Sequence, residues 1–337
     1  MLYNLARSAL FCLDAEHAHE LTLATFRNFP KLATAPFAGK AATAPVKLMG
    51  LEFPNRVGLA AGLDKNGECI EAWARLGFGF IEVGTVTPRS QPGNPKPRMF
   101  RLPQHQAIIN RLGFNNKGVD YLLSRIAQTD FNGILGINIG KNFDTPIEKA
   151  ADDYLICLRK VHAAASYITV NISSPNTKNL RDLQDEERLN DLLRQIQAER
   201  ETLAQAQGQR KPLLVKIAPD VSEGQIEHIA RAARQFGIDG LIATNTTVTR
   251  PQLEGEILAQ QQGGLSGAPL RELADSTLRR LRTEVGPDFT LVGVGGITSG
   301  ADALAKREAG ADLVQIYTGF IYRGPALVGD CARRISS

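Results

Sequence analysis

The stretch Tyr167-Ile168-Thr169-Val170-Asn171-Ile172-Ser173-Ser174-Pro175-Asn176 begins as an apolar strand and ends in amides, hydroxyls and a proline. Its β-branched and aromatic residues favour a buried strand, and Pro175 stops that strand because it lacks a backbone donor. The polar end has two interpretations: an ordinary Asn/Ser/Pro turn, or the rim of an active site carried at a strand end. The rest of the chain has to decide between them.

Similar apolar runs recur along the chain, and helical patterns separate them. The strand-like runs are Arg56–Ala61, Phe80–Thr85, Ile134–Ile139, Tyr167–Ile172, Leu213–Ile217, Leu241–Thr244, Leu291–Val294 and Leu313–Ile316. The helical patterns are Glu68–Leu76, Val119–Gln128, Pro146–Ala165, Glu186–Ala206, Glu223–Phe236, Leu270–Val285 and Ala301–Ala309, with a short helix expected after Pro325. Eight strands that alternate with helices over roughly 290 residues predict an α/β fold of the (β/α)8 TIM-barrel type.

The competing architecture is a doubly wound sheet, which would carry a G-x-G-x-x-G fingerprint after its first strand. That place holds Ala60-Ala61-Gly62-Leu63-Asp64-Lys65, which does not match the fingerprint. We therefore expect a barrel over residues 46–337.

Residues 1–45 stand apart and are expected to form a helical hairpin and a linker. The apolar residues at helical spacing in the first helix are Leu2, Leu5, Ala9, Leu10 and Leu13. Asp14 can cap a second helix, which carries Ala18, Leu21, Ala24 and Phe29 along one side and Leu23 and Phe26 off it. Residues 30–45 are rich in Pro, Ala, Thr and Lys, which indicates a linker. The hairpin either packs on the main domain or dips into a membrane face and guards a tunnel.

Composition limits the class of protein. The 337 residues are 43% hydrophobic and 22% charged, which is ordinary for a globular chain. The net charge of +4 is too small to indicate nucleic acid, but it suits contact with an anionic surface. The four cysteines are scattered, which favours a reducing compartment. No apolar run approaches the roughly 20 residues of a spanning helix, and the N-terminus does not resemble a secretory signal.

Two connections are too long to be plain turns, namely Thr87–Gly118 and Thr246–Gly267. Long connections in a compact domain are usually lids or binding loops. Both follow the carboxyl end of a predicted strand, so we expect them on the face that carries the site.

Polar residues and glycines collect at the carboxyl ends of the predicted strands, which meet on one face of a barrel. They are Lys65, Thr85, Asn138, Lys141, Asn171, Ser174, Asn176, Lys216, Thr244, Asn245, Thr246, Gly295, Gly296, Tyr317, Thr318 and Gly319. A lysine after a strand is often only a surface residue, but Lys65 and Lys216 both interrupt apolar runs.

The glycine-rich turns after the last two strands predict a phosphate site. Gly295, Gly296 and Gly319 leave backbone N–H groups uncovered, and this is a frequent phosphate position in these barrels. Amides offer donors and acceptors without charge, which suits a flat ring with alternating C=O and N–H groups. A phosphate at one end, lysines in the middle and amides over a ring together suggest flavin mononucleotide (FMN) with a second planar ligand stacked on it. No cluster has metal-ligand spacing, so no metal is expected.

Five motifs resemble those of the dihydroorotate dehydrogenase family, in order and over nearly the whole chain. They are Ala60–Lys65, Glu82–Pro88, Asn110–Asn116, Asn171–Asn176 and Gly293–Ile297. The N-terminal hairpin and the serine of the fourth motif resemble the class 2, quinone-reducing, membrane-associated branch. The class 1 branch lacks that hairpin and uses a cysteine base.

The resemblance implies oxidation of (S)-dihydroorotate to orotate in de novo pyrimidine (UMP) synthesis, with one FMN per chain and a membrane quinone as final acceptor. It implies a peripheral protein on the cytoplasmic face of the cell membrane. Ser174 would be the base that takes the C5 proton. The substrate residues would be Lys65, Asn110, Arg111, Leu112, Gly113, Phe114, Asn171, Asn176, Asn245 and Thr246. FMN would be held by Ala61, Gly62, Leu63, Asp64, Lys65, Thr85, Asn138, Asn171, Lys216, Thr244, Gly267, Gly296, Tyr317 and Thr318. The quinone would enter under the hairpin near His19 and Arg101.

Some points stay open from the residues alone. Without the resemblance, the sequence does not choose between Ser173 and Ser174. No neighbouring His or Asp is an obvious acceptor for the serine proton, so a water or a hydroxyl such as that of Thr177 is a candidate relay. The alternative functions are an FMN barrel that takes electrons from NAD(P)H, a flavin-free barrel with Schiff-base chemistry at a lysine, and a non-catalytic module that binds a membrane surface.

Overall fold

The computed structural model describes residues 2–38 and 43–336. The strands in these ranges are β1 (Val46–Leu48), β2 (Leu51–Phe53), β3 (Val57–Leu59), β4 (Phe80–Val86), β5 (Met99–Leu102), β6 (Ala107–Asn110), β7 (Ile134–Ile139), β8 (Tyr167–Asn171), β9 (Leu213–Ile217), β10 (Gly240–Ala243), β11 (Gly264–Gly267), β12 (Thr290–Val294) and β13 (Leu313–Ile316). The α-helices are α1 (Leu2–Phe11), α2 (Ala15–Asn28), α3 (Pro30–Thr34), α4 (Ile70–Arg75), α5 (Val119–Ile126), α6 (Ala150–Val161), α7 (Glu186–Gln207), α8 (Glu223–Gln235), α9 (Arg271–Val285), α10 (Gly300–Glu308), α11 (Thr318–Arg323) and α12 (Ala326–Arg334).

Eight parallel strands close into a barrel in the order β3-β4-β7-β8-β9-β10-β12-β13, which confirms the predicted fold. The runs Ile134–Ile139, Leu213–Ile217 and Leu313–Ile316 match the predicted strands residue for residue, and the others differ only at their ends. Parallel register places Asn171 of β8 beside Lys216 of β9. Asn171 and Lys216 therefore lie at the same level of the barrel, whereas Asn138 is in register with Thr169, two residues before Asn171.

The barrel has a core on each side of its wall. Inside it, Phe53, Phe80, Tyr167 and Leu214 belong to one buried cluster, and Phe53 packs edge-on against Phe80 at 5.3 Å between ring centroids. The larger cluster lies between the strands and the surrounding helices. Because every strand is buried on both faces, the strands appear in the sequence as continuous apolar runs.

Two small sheets were not predicted. Strands β1 and β2 pair as an antiparallel hairpin whose Phe53 contributes to the inner core. Strands β5, β6 and β11 form an antiparallel sheet in the order β11-β6-β5, so both long connections are partly ordered as strands. These strands are only three or four residues long, and β11 pairs with a strand from a distant loop, so no local pattern reveals them.

The N-terminal hairpin packs on the barrel largely through apolar residues that lie off the main stripe of α2. Asp14 caps α2 by accepting bonds from the amides of Glu16 and His17, as predicted. Leu23 and Phe26, not the Leu21 and Phe29 stripe, face the barrel, and Phe26 meets Trp73 edge-on at 5.1 Å. Leu21 and Phe29 are exposed. The helical spacing predicted the helix correctly. It could not show which side packs on the barrel, because the apolar residues of α2 occupy two faces.

The first residues of the predicted linker form a short helix. Pro30 starts helix α3, where a proline at the first position loses no helical hydrogen bond. The hydroxyl of Thr34 accepts a bond of 2.9 Å from Arg75 Nε, which ties this segment to the barrel. Residues 39–42 of the predicted linker lie outside the described residues.

Candidate active site

A pocket of about 950 Å³, partly open to solvent, lies at the carboxyl ends of the barrel strands. The predicted residues that line it are Ala61, Gly62, Lys65, Thr85, Asn110, Leu112, Gly113, Phe114, Asn171, Ser174, Asn176, Lys216, Thr244, Asn245, Thr246, Gly267, Gly296, Tyr317 and Thr318. The polar strand ends therefore converge as the barrel prediction required.

The pocket wall is cationic. Lys65 and Lys216 line it, and no Asp or Glu does within the described part of the chain. Neither ammonium group has a hydrogen bond or ion pair with another described residue. A buried cation without a partner is costly, so both lysines are suited to an anionic or electron-rich ligand.

Burial shifts the titration of both lysines in the same direction. Desolvation, reinforced by Arg98, lowers the pKa of Lys65 to about 8, although Glu16 and Asp64 oppose the shift. Desolvation also lowers the pKa of Lys216, against the opposing charge of Glu82. The protein thus holds two cations that gain stability when an anion enters.

The buried side chain of Glu82 determines the direction of the hydrogen bonds made by the neighbouring amide side chains. Both oxygens of Glu82 accept bonds, from Tyr167 Oη at 2.9 Å, Gln315 Nε2 at 2.7 Å and Asn138 Nδ2 at 2.8 Å. Asn138 uses its NH2 group as the donor to Glu82, so its side-chain oxygen is left to accept on the other side. That oxygen accepts a bond of 2.5 Å from the Thr85 hydroxyl.

The same direction of hydrogen bonding continues to the loop formed by residues 171–176. Asn171 Nδ2 donates to Thr85 Oγ1 at 2.9 Å, and Asn171 Oδ1 accepts from Ser173 Oγ at 2.9 Å. Ser173 Oγ in turn accepts from Asn245 Nδ2 at 3.0 Å, and Asn245 Oδ1 accepts from the Thr246 amide at 2.7 Å. Every bond from Thr246 to Glu82 points the same way, so the amides present defined donors and acceptors.

The geometry separates the two serines of the loop. Ser173 is fully buried and uses its hydroxyl in the chain of bonds just described. Ser174 lines the pocket, and its Oγ accepts a bond of 3.2 Å from the Asn176 amide. Of the two serines, Ser174 is thus the one that lies on the pocket wall.

Arg181 bonds the backbone of the loop formed by residues 171–176. Its Nε donates to the Ser173 carbonyl at 3.1 Å and its Nη2 to the Thr246 carbonyl at 2.8 Å. Its Nη1 pairs with Asp220 at 2.8 Å. One guanidinium therefore joins the two segments that carry Ser174 and Asn245. Sequence reasoning missed this residue because an arginine in a loop carries no local signal of such a contact.

The segment Asn110–Phe114 forms the opposite wall. Asn176 Nδ2 donates to the carbonyl of Asn110 at 3.1 Å and to its side-chain oxygen at 3.3 Å. Gly113 has φ +72° and a Cβ there would lie 2.9 Å from Asn94, so this position requires glycine. This wall and the loop of residues 171–176 are thus hydrogen-bonded to each other.

The far end of the pocket has backbone groups and hydroxyls. Gly295 and Gly296 have φ of +108° and +78°, which is a conformation that favours glycine. The Thr318 hydroxyl donates to Ser266 Oγ at 2.8 Å beside Gly267. This end suits an anion bound by backbone N–H groups and hydroxyls.

Several predicted site residues lie outside the pocket wall. Asn138 stands behind Thr85 and Asn171, and Leu63 is buried in the outer core. Asp64 accepts bonds from the amides of Glu68 and Cys69 and from Trp73 Nε1, so it orders the turn that carries Lys65. The Arg111 guanidinium points away and bonds Gln261 Oε1 at 3.0 Å and the Pro97 carbonyl at 2.8 Å.

The two candidate quinone residues lie at the hairpin. Desolvation and the charge of Lys65 lower the pKa of His19 to about 3, so its imidazole is neutral. Arg101 donates to carbonyls at the end of α1, including that of Leu10 at 3.2 Å, and stacks on Phe11 at 4.6 Å. Arg101 therefore caps the helix, where a cation is favourable.

Two pocket residues that were not predicted, Ser266 and Gln315, have a weak indication of their role in the sequence. Ser266 lies within the long Thr246–Gly267 connection, and Gln315 is a polar residue inside a buried strand. Buried polar residues in a strand usually have partners, and Gln315 does bond Glu82. The apolar lining residues Leu270, Val294, Ile297 and Ile316 look like ordinary core positions in the sequence.

Among residues 2–38 and 43–336, no helix has both the length and the hydropathy needed to cross a bilayer.

Comparisons with known proteins agree along the whole chain. A sequence model of the dihydroorotate dehydrogenase family matches residues 43–337. A protein of Aromatoleum aromaticum described as dihydroorotate dehydrogenase (quinone) is 57% identical over 333 residues, covering 99% of this chain and 95% of its own. One of Chromobacterium violaceum with the same description is 58% identical, covering 99% and 97%. The crystal structure of the ligand-free enzyme of Eimeria tenella superposes with a TM-score of 0.88 at 38% identity, covering 96% and 94% of the two chains.

Proposed function

The chain belongs to the dihydroorotate dehydrogenase family, and we propose that it oxidises (S)-dihydroorotate to orotate with FMN as hydride acceptor and a membrane quinone as final acceptor. The quinone-dependent relatives match it over nearly their full length, which supports this assignment. The product is the pyrimidine ring used in de novo UMP synthesis.

The observation that carries the proposal is a pocket with two lysines and no carboxylate on its described wall. A phosphorylated flavin and a carboxylated pyrimidine are both anionic, so both would gain from these cations. Thr246 Oγ1 is buried without a protein partner among the described residues, which fits a ligand that supplies one. The residues present therefore fit FMN with a planar substrate beside it.

We assign the FMN phosphate to the backbone of Gly267, Gly295, Gly296 and Thr318, and the ring to the amide level. Ala61, Gly62, Thr85, Asn171 and Thr244 would surround the ring, and Asn138 would act through Thr85 and Asn171. When bound, FMN accepts a hydride equivalent from C6 of the substrate and delivers electrons to quinone. Lys216 would stabilise negative charge on this ring, and a preorganised cation does so without reorganisation.

The substrate would bind between Lys65 and the two loops. The Lys65 ammonium would pair with its carboxylate, and Asn110, Asn171, Asn176 and Asn245 would read its amide groups. Ser174 would take the C5 proton, since its hydroxyl lies on the pocket wall. Thr177 Oγ1 is buried three residues later without a described partner, which makes it a candidate to pass that proton on.

We assign residues 1–45 to membrane contact and quinone entry and residues 46–337 to the FMN barrel. Leu5 and Leu32 are 67% and 75% exposed, and Leu2, Leu21 and Phe29 are also exposed. Apolar side chains on short helices suit burial in a bilayer interface. We place the protein on the cytoplasmic face of the cell membrane, with quinone entering near His19.

Anaerobic mixing tests the two half-reactions separately. Dihydroorotate is expected to bleach the flavin absorption band, and quinone added afterwards is expected to restore it. A protein without a flavin band, or a flavin bleached by NAD(P)H and not by dihydroorotate, would overturn the proposal.

A further inference from the structure

A buried ion pair joins the hairpin to the barrel. Glu16 of α2 and Arg98 bear side chains that are only 6% and 7% exposed, and Arg98 Nη2 lies 2.7 Å from Glu16 Oε1. Arg98 Nε lies 3.1 Å from both carboxylate oxygens. The pair is thus a dry, bidentate contact between residues 82 positions apart.

The remaining donor of Arg98 fixes a loop that reaches the site. Arg98 Nη1 bonds the carbonyls of Pro92 and Asn94, each at 2.7 Å. The side chain of Asn94 donates to the carbonyl of Arg111 at 2.8 Å and to that of Asn176 at 3.3 Å. A hairpin carboxylate is therefore connected, through Arg98 and Asn94, to both walls of the substrate pocket.

The charges of this pair also influence the pKa of Lys65. The charged and titratable groups that act on Lys65 are Arg98, Glu16, Asp64 and His19. Arg98 lowers the pKa of Lys65, whereas Glu16 and Asp64 raise it. Asp64 is a residue of the barrel, so Glu16 is the compensating charge that the hairpin contributes.

Charge compensation within the pair is evident at Glu16 itself. Burial raises the pKa of Glu16, but the hydrogen bonds and charges of Arg98 and, to a smaller extent, of Lys96 at 3.4 Å together hold that pKa below its usual value. Glu16 is therefore ionised at neutral pH. Removing its charge would leave Arg98 buried and uncompensated beside a second cation, which is an unfavourable arrangement.

We propose that Glu16 is a positioning residue for dihydroorotate oxidation: its carboxylate neutralises Arg98, which keeps Lys65 cationic and the two substrate walls in place. The hairpin thereby takes part in the substrate half-reaction as well as in quinone entry. This inference rests on the proposed function, because it gives Lys65 a substrate carboxylate to bind.

The test is the pH dependence of orotate binding to the oxidised, FMN-loaded, full-length protein, followed by the change in flavin absorption. Wild-type affinity is expected to fall as pH rises through about 8, because an unprotonated Lys65 no longer attracts the carboxylate. Glu16→Gln keeps the shape of the side chain but not its charge. It is expected to weaken orotate binding about tenfold at pH 8 and to move the fall to lower pH.

A matched control lies one turn away on the same helix. Glu20 pairs with exposed Lys96 at 2.9 Å, its side chain is 54% exposed, and the same Lys96 ammonium lies 3.4 Å from Glu16 Oε1. Glu20→Gln removes the same charge from the same helix but leaves the Glu16–Arg98 pair intact, so it is expected to change the orotate profile far less than Glu16→Gln. Equal profiles for Glu16→Gln and wild type, or equal shifts for the two variants, would overturn the inference.

Two further variants separate charge from general damage. Glu16→Gln/Arg98→Gln removes both charges, so its pH profile is expected to return toward wild type even if affinity does not. A double variant with the profile of Glu16→Gln would contradict the charge argument. If Glu16→Gln does not fold, Glu16→Asp retains the charge with a weaker contact and is expected to shift the profile less, in the same direction; no shift would overturn the inference.

The same measurements distinguish failure of the proposed function from failure of the role assigned to Glu16. A wild-type protein that binds no orotate would refute the proposed function. A wild-type protein that binds orotate, together with a Glu16→Gln variant altered only in quinone reoxidation, would refute the role of Glu16 alone.

Discussion

The hairpin of α1 and α2 and the strands of the barrel are held in place by different forces. All five residues of β8 are buried, whereas α1 has no buried residue. Helix α1 is attached by polar bonds to α11, from Tyr3 Oη to the Ile321 carbonyl at 2.6 Å and from Arg7 Nη1 to the Tyr322 carbonyl at 2.7 Å. Barrel stability comes from apolar burial, whereas the hairpin is placed by these polar bonds of α1 together with a few apolar contacts, such as Phe26 of α2 against Trp73.

This difference indicates that the barrel and the hairpin have different tasks. A closed barrel with two cores can hold charged groups in fixed positions, which a preorganised site needs. A hairpin with exposed leucines and few anchors can contact a membrane surface without disturbing the barrel. The Glu16–Arg98 pair is the place where the two regions share one electrostatic environment.

Removing residues 1–38 is the most severe test of this difference. We expect quinone reduction to be lost, whereas dihydroorotate still reduces the flavin at a higher substrate concentration because Glu16 is absent. Stopped-flow absorbance measures each half-reaction. Unchanged quinone kinetics would show that the hairpin is not the route of entry, and flavin content serves as the control for an intact barrel.

Ser174→Ala tests the barrel side. Loss of a positioned base typically slows proton transfer by roughly 10²–10⁴-fold, so flavin reduction is expected to slow by this factor while FMN stays bound. Anaerobic stopped-flow gives the rate. Ser173→Ala is the neighbouring control, and its loss is expected to be smaller because Ser173 only bonds Asn171 and Asn245. Near-normal reduction by Ser174→Ala would remove this serine from the chemistry.

Ile168→Ala and Leu5→Ala compare the stability of the two regions. Ile168 is fully buried in β8, so its truncation is expected to lower the free energy of unfolding by about 2–5 kcal/mol. Leu5 is mostly exposed in α1, and its truncation is expected to change that energy by less than about 0.5 kcal/mol. Chemical denaturation measures both. Equal losses would mean that the hairpin belongs to the folding core.

Leu5→Ser and Leu32→Ser test membrane contact and are expected to have the smallest effect. Burying one leucine side chain contributes about 1.5–3 kcal/mol, so each change is expected to weaken vesicle binding about tenfold or more. Co-sedimentation with lipid vesicles measures this, and unfolding curves should not move. Ile257→Ser is the control, since Ile257 is equally exposed but lies in the long connection before β11. The same loss for Ile257→Ser would place the membrane contact elsewhere.

Much of the site could be predicted because barrels place strand ends on one face. Lys65, Asn171, Lys216 and Thr318 were found by locating where apolar runs break, and all of them line the pocket. The series of hydrogen bonds that runs from Thr246 to Glu82 could not be predicted in this way. Each of its partners is on a different strand, such as Thr85 and Asn138 at 53 residues apart.

By itself the sequence determined the alternation of strands and helices, the cap of α2 at Asp14 and the polar character of the strand ends. These depend on residue periodicity and on backbone preferences that act over a few residues. Only the tertiary structure decided that Ser174 rather than Ser173 lies on the pocket wall, that β11 pairs with β6, and that Glu16 neutralises Arg98. Those outcomes depend on which distant groups share a buried space, because the energy of a charge or hydrogen bond is set by its surroundings and not by its neighbours in the chain.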